Sequence, residues 1–408
     1  MTSKTFKPFL WIGILLLAVS LACNMGSQPT TQPPPPTSVP VVEEPTPEPV
    51  ATEPEAEPEP EQQESGAVNS LSDVKNAAIE IIAEGSFVEP EGWNINVGSR
   101  GSGFIIDPSG IAVTNNHVVT GAALLKVYIG GDTKAYNARV LGVSECSDLA
   151  VIDIDGDGFP YLEWYDGEIT VGTKVFAAGY PEGNYTLTDG IVSVEEAPGE
   201  SYWSSVDYVV QHTAKIIPGN SGGPLVNENG QVMGINYAGV MESDANYSIS
   251  RDEALPVIES LRGGKDVDSI GVNGITVNGD IDGVTIYGIW VRSIKSGSPA
   301  DKARIKPGDI VYQLEGEVLA TDGSMADYCD VLRSRHATDT MNVTIIRYSD
   351  LSLMDGQLNG RELEATGYFS GSGSSDTPAA TGTYTVVDDT YTIQMDIPAS
   401  WVAVDGTV

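Results

Sequence analysis

Short runs of apolar residues, separated by glycine, asparagine and aspartate, recur through the middle of the chain. The runs are four or five residues long and rich in branched or aromatic side chains, which is typical of β-strands. Clear examples lie at 103–106, 125–129, 149–152, 174–178 and 232–235. This dense spacing of short strands and turn residues predicts a mainly β fold, built as a barrel or a sandwich.

The boundaries of this block are marked by segments with helical character. An amphipathic segment at 74–82 leads into it, and its end carries four apolar residues at helical spacing, Ala254, Leu255, Ile258 and Leu261. Two glycines follow at once, and glycine commonly ends a helix. We therefore predict a first domain over residues 68–263.

A second, smaller β-rich unit follows at 266–350. Beyond it, 351–408 contains a Gly/Ser-rich linker at 371–375 and two strand-like stretches near the end. The last stretches are too short to build a core of their own. We leave 351–408 as a linker and an unassigned β-rich segment, either a truncated domain or a tail that docks elsewhere.

The first residues resemble an export signal. Two lysines precede an uncharged, mostly apolar run at 9–22, shorter than the roughly 20 residues that a spanning helix needs. The run ends at Ala22 and Cys23 follows it, as in bacterial lipoprotein signals whose cysteine is lipidated. We predict a signal peptide at 1–23 with Cys23 as the lipidation site; an uncleaved anchor, or an ordinary signal with an incidental cysteine, stays open.

Residues 24–67 have the composition of a linker. Proline, glutamate and threonine alternate through this stretch, and almost nothing in it can be buried. Such segments are disordered and extended because proline and like charges stiffen them. After a lipid anchor, the segment would hold a folded head away from a membrane, on its extracytoplasmic side.

Charge and cysteine usage narrow the partners. The chain has 57 Asp+Glu against 21 Lys+Arg, a formal charge of −36, which repels nucleic acid and anionic lipid. Cys146 and Cys329 fall in different predicted domains, so we expect two free thiols. Three scattered histidines and the lack of a phosphate-loop motif predict no metal and no cofactor.

One glycine-rich motif carries chemistry. The residues Pro-Gly-Asn-Ser-Gly-Gly-Pro-Leu at 218–225 surround Ser221 with glycines, which allow an exposed nucleophile and backbone N–H groups aimed at an oxyanion. We predict that the oxyanion hole is formed within Gly219, Asn220 and Ser221, chiefly by the first and last N–H groups. The motif alone is also compatible with an ordinary loop.

A serine nucleophile needs a base and a carboxylate that orients it. His117 ends a strand-like run, and Asp148 heads the apolar strand at 149–152, where its carboxylate can be partly buried at a barrel mouth. We therefore predict a catalytic triad of Ser221, His117 and Asp148.

Four motifs in this order resemble the HtrA/Deg family of envelope and organelle serine proteases. They are Gly-Ser-Gly-Phe-Ile-Ile-Asp at 101–107, Thr-Asn-Asn-His-Val-Val at 114–119, Ser-Asp-Leu-Ala-Val at 147–151 and Gly-Asn-Ser-Gly-Gly-Pro-Leu at 219–225. The resemblance implies a chymotrypsin-like double β-barrel protease domain. It also implies misfolded or unfolded polypeptides as substrates, a role in protein quality control, and assembly as a homotrimer.

The resemblance also places a specificity pocket at Lys215, Asn236, Tyr237 and Ala238. Family members favour small or medium aliphatic residues on the acyl side of the scissile bond. Here Lys215 stands where the family has a small residue and His212 where it more often has threonine. One hypothesis is that Lys215, with His212 nearby, shifts the preference toward acidic or polar residues; the alternative is that Lys215 points to solvent.

The second unit resembles a PDZ domain. Asp-Ser-Ile-Gly-Val at 268–272 is similar to a carboxylate-binding loop, and Gly-Ser-Pro-Ala at 297–300 and Ile-Lys-Pro-Gly-Asp-Ile-Val at 305–311 are similar to the segments that follow it. The resemblance implies that Ile270, Gly271 and Val272 bind peptide C-termini. The helix lining the groove would carry Tyr328, Val331 and Leu332.

The sequence therefore predicts a membrane-anchored, exported serine endopeptidase with PDZ-mediated peptide recognition. Two other functions remain open. One is a non-catalytic peptide-binding or chaperone module of the same fold. The other is a regulatory protease with one dedicated substrate.

Overall fold

The computed structural model describes residues 66–90, 92–239, 245–281, 284–336, 338–369, 383–387 and 394–398. The predicted signal peptide at 1–23, the lipidation site Cys23 and nearly all of the linker at 24–67 lie outside these residues. Among the helices of the described ranges, none combines the length and apolar character needed to cross a bilayer.

The first barrel contains six antiparallel strands. Its closed order is β2-β3-β4-β7-β6-β5, where the strands are β2 Ala78–Glu89, β3 Gly92–Asp107, β4 Ile111–Thr114, β5 Leu124–Ile129, β6 Ala135–Ser144 and β7 Leu149–Ile154. Strand β5 shows the alternation of buried and less buried side chains that a strand with one face in the core requires. Its residues Leu125, Val127 and Ile129 are buried and the residues between them are not. Short helices flank these strands, α1 at Val74–Ala77 and α2 at Asn116–Val119.

The second barrel repeats this architecture. Its closed order is β10-β11-β14-β13-β12-β9, where the strands are β9 Lys174–Gly179, β10 Thr186–Glu200, β11 Ser205–His212, β12 Pro224–Val226, β13 Val232–Gly239 and β14 Asn246–Ser250. Two very short strands, β1 at Ala67–Val68 and β8 at Tyr161–Leu162, pair in parallel, and single turns of 3-10 helix lie at Leu71–Asp73 and Pro181–Gly183.

A shared core holds the barrels together. Phe104 and Leu149 of the first barrel and Ile235 of the second lie in one buried cluster with Ile258 and Leu261 of helix α3, Arg251–Arg262. The Ser250 side chain accepts a hydrogen bond from the Asp252 N–H at the start of this helix. The helix predicted from apolar spacing is therefore confirmed.

The smaller domain is an antiparallel sheet with two helices. Its order is β15-β16-β17-β19-β20-β21 with β18 on β17, where the strands are β15 Val272–Ile281, β16 Val284–Ile294, β17 Asp309–Leu314, β18 Glu317–Val318, β19 Met341–Arg347, β20 Ser352–Leu358 and β21 Glu364–Tyr368. The helices are α4 Pro299–Ala303 and α5 Ala326–Arg333. Strands β20 and β21, which follow the predicted domain end at residue 350, pair with the same sheet. A separate hairpin contains β22 Thr383–Val387 and β23 Gln394–Pro398.

The smaller domain packs against the double-barrel domain. Trp290 of β16 is buried and its indole N–H donates to the Val88 carbonyl at 2.7 Å. The Arg292 guanidinium pairs with Glu89, with the Nε atom 2.8 Å from one carboxylate oxygen. The predicted fold class, a chymotrypsin-like double β-barrel with a smaller PDZ domain, is confirmed.

Candidate active site

The histidine and the aspartate predicted for the triad are hydrogen-bonded to each other. His117 lies in α2, directly after β4, and its Nδ1 atom is 2.7 Å from Oδ2 of Asp148. The His117 backbone N–H donates to the other carboxylate oxygen at 2.9 Å. The Asp148 side chain is 1% exposed and that of His117 is 26% exposed. This contact orients the imidazole and leaves Nε2, on the far side of the ring from Asp148, as the nitrogen that can act as a base.

The backbone of Asp148 is held in a strained conformation. Its φ of 48° lies in the left-handed region, which costs a non-glycine residue of the order of 1 kcal/mol. Two donors hold the Asp148 carbonyl in place, the Asn116 N–H at 3.1 Å and the Asn115 side-chain amide at 2.8 Å. Since Asn116 precedes His117, the same contacts fix the spacing between the base and its carboxylate.

The loop that carries Ser221 needs its glycines. Gly222 has a φ of +82°, and a Cβ there would lie 2.3 Å from the Ser102 carbonyl oxygen and from the Thr114 hydroxyl. At Gly219 the φ is +102°, and a Cβ would lie 2.8 Å from Pro181. Close approach of neighbouring backbone segments therefore excludes side chains on both sides of the serine.

Ser102 holds the loop whose backbone forms the candidate oxyanion hole. The Ser102 hydroxyl donates to the Gly219 carbonyl at 2.6 Å, and its backbone N–H donates to the Ser221 carbonyl at 2.8 Å. Within the described part of the chain, the N–H groups of Gly219 and Ser221 have no acceptor. The Asn220 N–H instead donates to Ile217 at 3.0 Å, so including it in the oxyanion hole was wrong. The turn itself uses that donor.

His117 and Ser221 both line a cleft of about 340 Å³. One wall comes from the segment before the serine, Ile216, Ile217 and Pro218, and another from Tyr237, Ala238 and Gly239 of β13. Its rim includes Ile275 and Arg292 of the smaller domain. The imidazole and the hydroxyl therefore face a space bordered by apolar side chains. The same cleft is the candidate specificity pocket.

The predicted pocket residues divide into two groups. Tyr237 and Ala238 line the cleft, whereas the Lys215 side chain is exposed and its carbonyl accepts the Thr188 hydroxyl at 2.8 Å. Asn236 is buried beneath the wall, where its amide donates to the Ala178 carbonyl at 2.9 Å. The solvent-facing alternative for Lys215 therefore agrees with its exposure.

His212 is also buried rather than part of the cleft wall. Its Nε2 atom lies 2.9 Å from the Ser248 hydroxyl. Burial lowers the pKa of His212 to about 4, so the side chain is neutral near pH 7. A neutral imidazole does not attract an acidic side chain by charge, so the hypothesis that Lys215 and His212 shift the cleavage preference gains no support from the charge of His212.

Comparison with known proteins places this geometry in a family. Residues 101–235 match the family described as trypsin-like peptidase domain, and residues 290–347 match the PDZ domain. The "Serine protease Do-like HtrA" of Lactobacillus helveticus is 30% identical over 299 residues, which are 68% of this chain and 68% of that protein. The chain belongs to the HtrA family of serine proteases.

Other HtrA relatives are longer. The "Probable periplasmic serine endoprotease DegP-like" of Hahella chejuensis is 37% identical over 241 residues, 56% of this chain and 50% of that protein. The chain thus spans about half the length of the DegP-like relatives that it matches. A solved serine endoprotease from Yersinia pestis is 25% identical, with a TM-score of 0.41, and the match covers 71% of this chain and 95% of that one.

In this HtrA chain, the side chain of Glu145 is bound in the predicted PDZ carboxylate loop. The N–H groups of Gly271 and Val272 donate to Oε1 of Glu145, at 2.7 and 2.9 Å, and the Ser269 hydroxyl donates to the same oxygen at 2.6 Å. The Tyr328 hydroxyl donates to the other oxygen. Ile270 is fully buried beside them. Burial raises the pKa of Glu145, and these donors oppose the rise.

The two cysteines predicted as free thiols form a disulfide. Cys146 and Cys329 have Cα atoms 5.5 Å apart, although 183 residues separate them in sequence. The prediction failed because it treated the two domains as independent. Docking brings the loop before Asp148 onto helix α5, and burial of both cysteines in one apolar cluster completes the contact.

Sequence reasoning missed one residue beside the triad. The indole N–H of Trp203 donates to Oδ2 of Asp148 at 3.0 Å, and its ring lies edge-on to the His117 ring with centroids 5.9 Å apart. Trp203 sits between β10 and β11, in a Ser-Tyr-Trp-Ser stretch without any local sign of a role. Only tertiary packing brings it to the carboxylate.

Proposed function

We propose that this HtrA chain is a serine endopeptidase. The observation that carries the proposal is the 2.7 Å contact between His117 and the buried Asp148, at the edge of a cleft that also contains Ser221. Asp148 accepts from Nδ1, so Nε2 carries the lone pair that can take a proton. A histidine side chain held in this tautomer can serve as a general base in neutral water.

The mechanism follows from these positions. The Ser221 hydroxyl attacks a peptide carbonyl while His117 takes its proton, and His117 then gives that proton to the leaving amine. The N–H groups of Gly219 and Ser221 bind the oxyanion of each tetrahedral intermediate. Water hydrolyses the acyl-enzyme in the second half of the reaction, with His117 again as the base.

The substrates we propose are unfolded or misfolded polypeptides of the cell envelope. The apolar walls formed by Ile216, Ile217 and Ala238 favour small or medium aliphatic side chains on the acyl side of the bond. Relatives named as periplasmic endoproteases support export of this chain as well. Proteomic comparison of a Ser221→Ala strain with wild type would separate broad quality control from a single dedicated substrate.

Two finer proposals concern attachment and assembly. Cys23 follows a signal-like run, which supports a lipid anchor at this residue. Metabolic labelling with a fatty-acid analogue, lost in Cys23→Ala, tests the anchor. Family resemblance supports a homotrimer, which sedimentation of the purified protein tests.

The decisive experiment for the catalytic proposal is labelling by a fluorophosphonate probe, which reacts with an activated serine. Wild type is expected to be labelled, and Ser221→Ala is expected to lose both labelling and peptide hydrolysis, about 10⁶-fold in kcat. Asn220→Ala probes the neighbouring side chain without removing the nucleophile. A folded wild type without Ser221-dependent labelling would instead be the peptide-binding module.

A further inference from the structure

The loop before Asp148 inserts a buried carboxylate into the PDZ domain. Glu145 is 3% exposed, and burying a carboxylate without partners is very unfavourable. Four donors compensate for this burial: the Gly271 and Val272 N–H groups, the Ser269 hydroxyl and the Tyr328 hydroxyl. Backbone N–H groups in such a loop are the means by which this kind of domain captures a peptide's terminal carboxylate. The Glu145 side chain therefore supplies the carboxylate that the C-terminus of a bound peptide would otherwise supply.

The rest of the groove is also covered by the protease domain. A bound peptide would add as a strand along the free edge of β15, beside helix α5. There the Thr276 N–H donates to the Tyr202 carbonyl at 2.7 Å, and the Met325 N–H donates to the Ser201 carbonyl at 3.3 Å. Main-chain carbonyls of the segment between β10 and β11 thus take up an edge donor of β15 that a peptide strand would use, and contact the start of the neighbouring helix.

A covalent bond fixes this arrangement. Cys146, next to Glu145, is bonded to Cys329, which neighbours the Tyr328 donor on α5. A ligand tethered in this way competes at an effective concentration of the order of mM or more. A free peptide cannot displace Glu145 efficiently while the bond holds its loop in the groove.

The covered groove touches the parts of the chain that hold the triad. Glu145 lies three positions before Asp148, and Trp203, the donor to Asp148, follows Tyr202 in the covering segment. On the other side, the Ser293 hydroxyl donates to the Thr120 carbonyl at 3.0 Å, at the end of the helix that carries His117. A change in the groove can therefore reach the loops that carry His117 and Asp148 through direct contacts.

We propose that Glu145 is the built-in ligand of the PDZ carboxylate loop, and that the Cys146–Cys329 disulfide keeps the groove closed to C-terminal peptides until a dithiol reduces it. Reduction transfers two electrons from the dithiol, which becomes a cyclic or intermolecular disulfide, and leaves two cysteine thiols here. The loop at 145–148 is then free to exchange with a peptide that ends in a carboxylate. The inference deepens the proposed function, because it assigns a redox condition to peptide recognition.

The test measures binding of a fluorescein-labelled peptide with a C-terminal valine and a free carboxylate, by fluorescence anisotropy. The full chain carries Ser221→Ala, so that peptide hydrolysis plays no part. In the oxidised protein we expect little binding. Dithiothreitol is expected to strengthen it about tenfold or more, and adding Glu145→Ala, Cys146→Ser and Cys329→Ser is expected to do so without reductant. The same peptide with a C-terminal amide should show no gain.

Glu163→Ala is the matched control, because Glu163 is an exposed glutamate of the same domain. It should bind as weakly as the oxidised parent. Equal affinity of the oxidised parent and the opened variant would overturn the proposal, and so would no binding to either. If the combined variant does not fold, anisotropy before and after reduction of the Ser221→Ala chain decides in its place. Probe labelling of the Ser221 protein is a separate result, so the two proposals can fail independently.

Discussion

The candidate active-site cleft and the PDZ groove are two anion sites built from the same kind of backbone donors. Each presents a pair of backbone N–H groups beside a glycine with positive φ, Gly219 at +102° and Gly271 at +90°. In the cleft, the N–H groups of Gly219 and Ser221 have no acceptor among the described residues. In the groove, those of Gly271 and Val272 are bound to Glu145.

This difference shows that a local motif determines the shape of an anion site but not its availability. The serine loop was predicted as a binding site from its own glycines, and the loop at 268–272 from its resemblance to PDZ domains. What separates them is a glutamate more than 100 positions from Gly271, brought in by the loop at 145–148. The following experiments test whether the cleft is the working site and the groove the closed one.

The largest effect is expected from Asp148→Asn. An amide cannot hold the imidazole in the required tautomer or stabilise its charged form, so kcat should fall about 10⁴-fold. Steady-state hydrolysis of an unfolded protein substrate measures this. Asp153→Asn is the control, because Asp153 pairs with Arg139 on the outside of the first barrel. A loss below tenfold in Asp148→Asn would argue against a catalytic triad.

Alanine at the two key glycines should separate the cleft from the groove. Gly222→Ala places a Cβ against Ser102 and Gly271→Ala places one 2.1 Å from the Ser298 Cβ. Each substitution combines a positive φ, which costs roughly 1–2 kcal/mol, with overpacking, which costs roughly 1–3 kcal/mol. Urea unfolding should therefore show a loss of about 3 kcal/mol in the free energy of unfolding. Gly222→Ala should also abolish probe labelling, because the serine loop must shift.

Gly172→Ala is the control for these substitutions. Gly172 has a φ of +86° with open space around it, so only the conformational cost of about 1–2 kcal/mol applies. Equal losses of stability in all three variants would mean that close packing plays no part at either site.

Buried His212 should make the free energy of unfolding depend on pH. Its folded pKa of about 4 lies below the ordinary value of 6.5, so the unfolded chain binds the proton first as pH falls. The stabilisation is complete above pH 6.5 and is lost progressively toward pH 4. At pH 5 the loss is about 2 kcal/mol for this group.

Urea unfolding at pH 7.5 and pH 5 measures this effect in wild type and in His212→Gln. The variant should lose about 2 kcal/mol less than wild type between the two pH values. The comparison removes the contribution of the carboxylates, which both proteins share. An identical pH dependence would contradict a buried neutral histidine.

The smallest effect is expected from Trp203→Phe. The substitution removes one donor to the Asp148 carboxylate and keeps an aromatic ring, so kcat should fall about tenfold, for the loss of a charged hydrogen bond. Trp164→Phe is the matched control, since Trp164 packs against Phe104 in the shared core. An unchanged kcat in Trp203→Phe would limit the role of the indole to packing.

The sequence predicted the strand-rich class and the terminal helix of the protease domain because both follow from local periodicity. The order of His117, Asp148 and Ser221 was also readable, since each lies in a short motif of its own. Strands β20 and β21 fall in the segment at 351–408 that the sequence left unassigned, and only pairing with β19 joins them to the sheet. Local patterns do not encode which edge a strand will join.

The sequence by itself therefore determined the strands, the serine loop and the candidate chemistry, because glycine conformations and apolar alternation act over a few residues. Tertiary structure alone decided the pairing of Cys146 with Cys329, the donor role of Trp203 and the burial of Glu145 in the PDZ loop. The disulfide and the burial of Glu145 depend on the packing of the two domains, and the Trp203 contact joins loops of the two barrels within one domain. Contacts between distant segments are set by the free energy of burying whole surfaces, which no short window of residues contains.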